Sequence, residues 1–234
     1  MSLNPFSTVK DYATMLNRIA IYTFAVSLVA VIILRNNITS LEDLLKKLNL
    51  LIPVFNGVQL PAGTVLPAII VAFVSRSIKI HDRISDIFQI RKRFDIYHIL
   101  FPLAIASSST CTASKIDFIK NNRKDLMKKV FYKYASSDPD KALIESHYIT
   151  MALDQWSWYW IVLEAISILF ITSIALSFFS KFFISFILTL LVLVGIGFLQ
   201  LVKFQCSKYA LQQVEQIISD NTRKLEVQGV FNAL

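Results

Sequence analysis

Glycine and proline are scarce, five and six residues in 234, which excludes collagen-like and low-complexity chains. Two cysteines, Cys111 and Cys206, are too few for a disulfide framework. Both are expected at or near a cytosolic face, where thiols stay reduced. There is no GxSxG elbow, HExxH pair, phosphate-cradling GxxxxGK[ST] loop or CxxC pair, and no triad can be assembled. These absences argue against an enzyme and against a bound cofactor. The N-terminus lacks a basic stretch followed by an apolar run and a small-residue cleavage site, so no removed signal peptide is expected. Acids are outnumbered, 16 against 24 Lys and Arg, for a net charge of +8.

What the chain has in quantity is apolar sequence: 55% hydrophobic residues, well above a soluble domain. From Trp156 to Phe179 the only charge is Glu164, and Phe182 to Val202 has none. The first run is about 36 Å long as a helix, against a hydrocarbon core of about 30 Å. Backbone groups in lipid must be satisfied internally, so both runs are expected to be helices. Only Ser180 and Lys181 separate them, which predicts a tight antiparallel hairpin. Trp156, Trp158 and Trp160 stand where an aromatic belt anchors a span at the interface.

A first hairpin is expected over 1–75. Thr8-Val-Lys-Asp11 fits a capping box opening a helix through the uncharged run Ile19–Leu34. Ser40 is a candidate N-cap for a short amphipathic helix. The uncharged stretch 51–75 holds Pro53, Gly57, Pro61, Gly63 and Pro67. It reads as a span starting near Pro61 and kinked at Pro67, or as a partly unwound segment lining a cavity.

Residues 76–155 are basic. Apolar residues recur at helical spacing from Ile80 to Tyr97, which predicts a long amphipathic helix ending near Leu100, ahead of Pro102. A polar linker (SSSTCTAS) follows. A second helix is expected to run to about Tyr134, and a third to start at Asp138-Pro139 and lead into Trp156. Residues 204–234 read as a further cytosolic helix, fraying near Asp220-Asn221. The positive-inside rule places 76–155 and both termini in the cytosol. The expected fold is an all-α membrane protein with four transmembrane helices in two hairpins and an inserted helical cytosolic domain.

Glu164 is an ionisable group inside a span, which makes it a functional candidate. It can line a pore, accept a proton or pair with a base, or it can sit hydrated at the interface. Ser167 lies on nearly its face. Thr189 and Gln200 are placed to hydrogen-bond between helices, and Gly195-x-Gly197 offers a small surface for close approach. His81, Asp82, Asp86, Asp95 and His98 allow a metal reading, but solvated charge pairs such as Lys79–Asp82 and Arg91–Asp95 explain the spacing, and no metal is expected. Arg83, Arg91, Lys92, Arg93, Lys120, Arg123, Lys124, Lys128 and Lys129 form positive surfaces. Lipid headgroups, nucleic-acid phosphates and the ordinary positive-inside bias all account for them.

His81-Asp82-Arg83-Ile84-Ser85-Asp86, Ile90-Arg91-Lys92-Arg93-Phe94-Asp95 and Leu100-Phe101-Pro102 together resemble a stretch of the membrane effectors of bacterial retron anti-phage systems, and the layout is equally similar to a four-span membrane subunit of another defence system. The resemblance covers about 25 residues and the general layout, and it implies no catalytic residue. It implies a toxic inner-membrane protein held silent by a reverse transcriptase with its RNA–DNA product, and damaging the membrane on release. The expectation is therefore a non-enzymatic, oligomeric effector that permeabilises or depolarises the membrane. The alternatives are a membrane sensor or scaffold recruiting a cytosolic protein, and a small channel or transporter.

Overall fold

The computed structural model describes residues 9–48, 50–55, 58–107, 113–138 and 141–234. The described chain is mostly helical and divides into two compact units. Leu16–His81 with Ser157–Leu201 form the first; residues 9–15, Asp82–Trp156 and Val202–Leu234 form the second.

The first unit is apolar. Its helices are α1 (Tyr12–Asn37, of which residues 16–37 belong here), the short α2 (Thr39–Lys46) and α3 (Ala62–Ile78), with the adjoining parts of α9 (Ser146–Phe178) and α10 (Phe182–Ile218). Arg35 Nη1 donates to Thr64 Oγ1 at 2.9 Å, and Leu28 packs with Val65 and Ala68. Late α1 thus meets early α3, while Thr23 of early α1 and Ser75 of late α3 both bind the Glu164 carboxyl, so the two run antiparallel. α1 and α9 run parallel, because Arg18 meets Ser157 while Ile38 clusters with Leu176. The turn between α9 and α10 is as tight as the sequence predicts. Ser180 takes φ 57°, and the Lys181 N–H caps the Leu176 carbonyl at 2.9 Å. The two helices are then stitched by hydroxyls: Ser173 lies 2.9 Å from both Ser185 and Thr189, and Ser177 lies 2.6 Å from Ser185. Such hydroxyl contacts hold helices together where apolar burial supplies no drive.

Among the described residues three helices, Tyr12–Asn37, Ser146–Phe178 and Phe182–Ile218, are long and apolar enough to cross a membrane. A fourth span exists only if α3 is counted with the following helix Ile80–Ile87 (α4). This pattern fits a multi-pass membrane protein.

The all-α expectation needs one correction. Residues 51–55 and 58–61 form an antiparallel strand pair, β1 (Leu51–Phe55) and β2 (Val58–Pro61), with Leu51 opposite Pro61 and Ile52 opposite Leu60. Ile52, Val54 and Leu60 pack on the Leu28–Val65 cluster, so burial of one face favours the extended form over an unwound helix. Pro61 closes β2, and α3 starts at the next residue. Pro67 sits within α3 and removes its bond to the Gly63 carbonyl. Gly63 is required there, because a Cβ would collide with the backbone carbonyl oxygen of Leu45.

The stretch 76–100 is not the single long helix expected. Lys79 and Gln89 both adopt positive φ, 49° and 53°. They divide the stretch into α3, α4 and α5 (Ile90–Phe94). A π-helical turn, Asp95–Leu100, leads into α6 (Phe101–Ala106). The chain therefore stays helical through Pro102, whose missing N–H falls where the π turn passes into α6. The next helical stretch is also divided. α7 (Ala113–Asn121) and α8 (Arg123–Met127) meet at Asn122, and a second π turn, Lys128–Tyr132, follows.

Of the expected caps, Thr8 and Pro139 lie outside the described residues, as do most of the polar linker and Cys111. α1 is capped by Asp11, whose Oδ1 accepts from the Thr14 N–H at 2.7 Å. The helix into Trp156 starts at Ser146 and not at Asp138. The residues before it are held by the Leu143 N–H on the Tyr134 carbonyl at 2.8 Å and by Arg223 on the Leu143 carbonyl at 2.8 Å. The C-terminus does not fray. Asp220 caps α11 (Asn221–Asn232), and Val227 and Phe231 are buried. Residues 202–234 belong to the same compact unit as 82–156, and the boundary with the apolar unit falls after His81 and not at Arg76.

Candidate functional site

Polar groups inside an apolar helical unit must find partners there, since lipid supplies none. In the first unit they converge on Glu164, which is buried at 3% exposure. Thr23 Oγ1 on α1 donates to Glu164 Oε2, and Ser75 Oγ on α3 donates to the same oxygen at 2.9 Å. His81, at the start of α4, places Nδ1 3.4 Å from Glu164 Oε1. The carboxyl is thus held from three other elements and shielded from bulk solvent.

The arrangement accommodates a proton on either partner. Thr23 has two acceptors for its single hydroxyl proton, Glu164 and the Ile19 carbonyl at 2.9 Å. With an ionised carboxylate, Thr23 donates to Glu164. With a protonated one, Thr23 turns to Ile19 and accepts from the carboxyl. His81 completes a charged pair if it carries the proton. The imidazole also faces the ring of Trp160, centroids 5.8 Å apart.

The aromatic triplet of α9 is divided in role. Trp160 is buried, 1% exposed, so it is not an interfacial anchor: it shares the inward face of α9 with Glu164. Trp158 carries the Arg18 guanidinium 4.4 Å above its ring and packs on Tyr22. Arg18 itself is buried, with Nη1 donating to Ser157 Oγ at 3.2 Å. Trp156 belongs to the second unit, where Phe94 meets it edge-on at 4.6 Å. Ser167 does not reach Glu164, since its hydroxyl returns to the Leu163 carbonyl at 2.9 Å. Gln200 lies on an exposed face of α10. Of the two neighbouring glycines, only Gly195 is in close approach, facing Ile166; the space beside Gly197 is open.

The metal reading does not gather. Among the described residues no three His, Cys, Asp or Glu side chains stand close enough to share an ion. The expected charge pairs are replaced, because the break at Gln89 shifts the helical phase. Arg91 Nη2 meets Asp82 at 3.0 Å, and Arg123 Nη1 meets Asp95 Oδ2 at 2.7 Å. Asp95 is buried at the start of its π turn. Burial pushes its carboxyl up to about 6, against the pull of the Arg123 and Arg91 guanidinium groups.

The remaining basic candidates are spread over the second unit. Arg83, Arg93 and Lys128 are exposed, and Lys129 pairs with Asp125 at 2.8 Å. Lys92, Lys120, Arg123 and Lys124 are brought together at one cleft of about 450 Å³, with Asn121, Asn122 and Asp125. Arg18, Thr23, Ser75 and His81 did not stand out in the sequence as partners of the Glu164 region. The signal available was Thr23 and Ser27, four residues apart and so on one face of α1 within an otherwise apolar run.

No curated protein and no solved structure matches the chain. A family match covers residues 11–228, and on it the chain belongs to the YmfE protein family.

Proposed function

We propose that this chain is a non-enzymatic, multi-pass inner-membrane effector, with both termini in the cytosol, that permeabilises or depolarises the membrane when a cytosolic partner releases it. The observation that carries the reading is Glu164, an ionisable group enclosed among apolar helices and held by Thr23, Ser75 and His81. A carboxyl in such surroundings costs several kcal/mol of desolvation, and functional sites are where that cost is tolerated. The enclosed arrangement is the resting state. Separation of the elements that hold Glu164 turns the carboxyl toward a polar path, which oligomers of this sparsely polar helical unit would line. The exposed basic surface of the second unit, including Arg83, Arg93 and Lys128, is the proposed contact for the restraining protein or ribonucleoprotein.

An anti-phage setting, with a reverse transcriptase and RNA–DNA as the restraint, rests on the resemblance of 81–102 to retron effectors alone; the family match makes no link to such systems. The second reading, a sensor or scaffold that recruits a cytosolic protein, is favoured by the same basic surface, and it requires no change in permeability. A channel or transporter role has less support, because Leu51–Phe55 and Val58–Pro61 pair as antiparallel strands packed on the apolar cluster of Leu28 and Val65.

Induced expression of the chain alone in bacteria, with membrane potential and dye entry recorded, separates these. Rapid depolarisation supports the effector. Polarised, growing cells at full expression favour the sensor.

A further inference from the structure

The cleft of the second unit offers a chemistry that the permeability reading leaves unused, and it stands independently of that reading. Its cations come from separate elements: Lys92 from α5, Lys120 from the end of α7, Arg123 and Lys124 from α8. Asn121 and Asn122, at the break between α7 and α8, add amide groups. The only acid in the lining, Asp125, is engaged by Lys129 at 2.8 Å. Lys120 has only a long contact to Asp117, 3.4 Å. Lys92 and Lys124 are exposed, and no carboxylate among the described residues pairs with them.

Arg123 is the fixed point. Its Nη1 is bound at 2.7 Å to the buried Asp95, which holds the guanidinium plane in place. A guanidinium has five N–H donors, so the others remain available to the cleft it lines. A positioned fork with flexible ammonium groups around it is the donor set that suits phosphate oxygens. The volume, about 450 Å³, is that of a small-molecule site and not of an extended nucleic-acid track.

We propose that this cleft binds a phosphate group carried on a small molecule, either a soluble polyphosphate such as a nucleotide or the headgroup of an anionic lipid. Arg123 orients the phosphate, and Lys92, Lys120 and Lys124 neutralise it.

The test uses the full-length protein in a neutral detergent, titrated calorimetrically with sodium pyrophosphate and, separately, with dispersed short-chain phosphatidic acid. The paired variant Lys92→Gln/Lys124→Gln removes two exposed cleft charges. The paired variant Lys128→Gln/Lys208→Gln makes the same change in net charge outside the cleft lining. Saturable binding is expected for at least one probe, weakened roughly tenfold or more by the cleft pair and little changed by the other. Binding of pyrophosphate assigns a soluble phosphate; binding of phosphatidic acid alone assigns a headgroup. The proposal is overturned if neither probe binds, or if both variant pairs weaken binding equally. It is also overturned if a single-stranded oligonucleotide binds more tightly than either probe and depends on Lys128 and Lys208.

Discussion

Glu164 and Asp95 are both buried carboxyls, 3% and 6% exposed, and the two units hold them in opposite ways. Asp95 faces a guanidinium that is always charged, and the pair is fixed by charge. Glu164 faces two hydroxyls and an imidazole, none of which must carry charge. The Asp95 pair is therefore a fixture that anchors Arg123 by charge, whereas Glu164 is held by neutral hydroxyl donors beside an imidazole. Burial dominates even for the permanent pair, since the carboxyl of Asp95 titrates near 6 despite two nearby guanidinium groups.

Breaking the permanent pair is expected to do the most damage. Arg123→Met leaves the Asp95 carboxyl buried without its partner, at a cost of about 3–5 kcal/mol near neutral pH. Asp95 is raised from an ordinary value of 3.8 to about 6. Its contribution to stability is thus complete below the ordinary value and is lost as pH rises through about 6, a change on the order of 3 kcal/mol. The Arg123→Met defect should shrink on acidification to pH 4, and Asp95→Asn should flatten the wild-type slope between pH 4 and 6. Thermal midpoints of the purified protein across that range check both. A defect of equal size at pH 4 and pH 7.5 would show that the pair is not electrostatic in origin.

At the other centre the contrast between two substitutions is the informative quantity. Glu164→Leu leaves Ser75 and His81 facing an apolar side chain, costing about 1–3 kcal/mol for each buried polar group that finds no substitute. Thr23 loses less, because the Ile19 carbonyl stands ready to accept its proton in place of Glu164. Glu164→Gln retains an acceptor and should recover most of the stability. If the two variants melt alike, the carboxyl is not held by these hydrogen bonds and the contrast with Asp95 collapses.

The smallest effects test the packing that frames the apolar unit. Gly63→Ala forces a Cβ against the Leu45 carbonyl and should cost about 1–3 kcal/mol. Gly197→Ala meets nothing within 4 Å and should be neutral or slightly stabilising. Equal melting of the two would contradict the close approach of α2 and α3.

The apolar hairpin was legible because its cause is one-dimensional: a long uncharged run leaves helix as the only solution in lipid, and Ser180-Lys181 leaves room for nothing but a turn. Glu164 was legible as a lone charge in such a run. Its partners were not, because Thr23 and Ser75 are ordinary residues whose importance arises only when α1 and α3 are brought beside α9. His81 lies beyond the break at Lys79, where a non-glycine residue takes positive φ, a conformation that composition does not announce. The strand pair was readable in principle. Asn56-Gly57 between Leu51–Phe55 and Val58–Pro61 is a hairpin signal, outweighed in the reading by the length of the uncharged stretch. The basic residues were visible one by one, but their gathering at a cleft depends on the breaks at Gln89 and Asn122, which periodicity alone does not locate.

Ion flux in reconstituted vesicles most directly tests the proposed control of membrane permeability by the Glu164 centre. Purified wild-type protein and Glu164→Leu, inserted to equal density, are compared by the decay of an imposed potassium diffusion potential. Rapid decay with the wild-type protein and a sustained potential with Glu164→Leu are the predicted results. A sustained potential with the wild-type protein, or equal decay with both, would contradict the account.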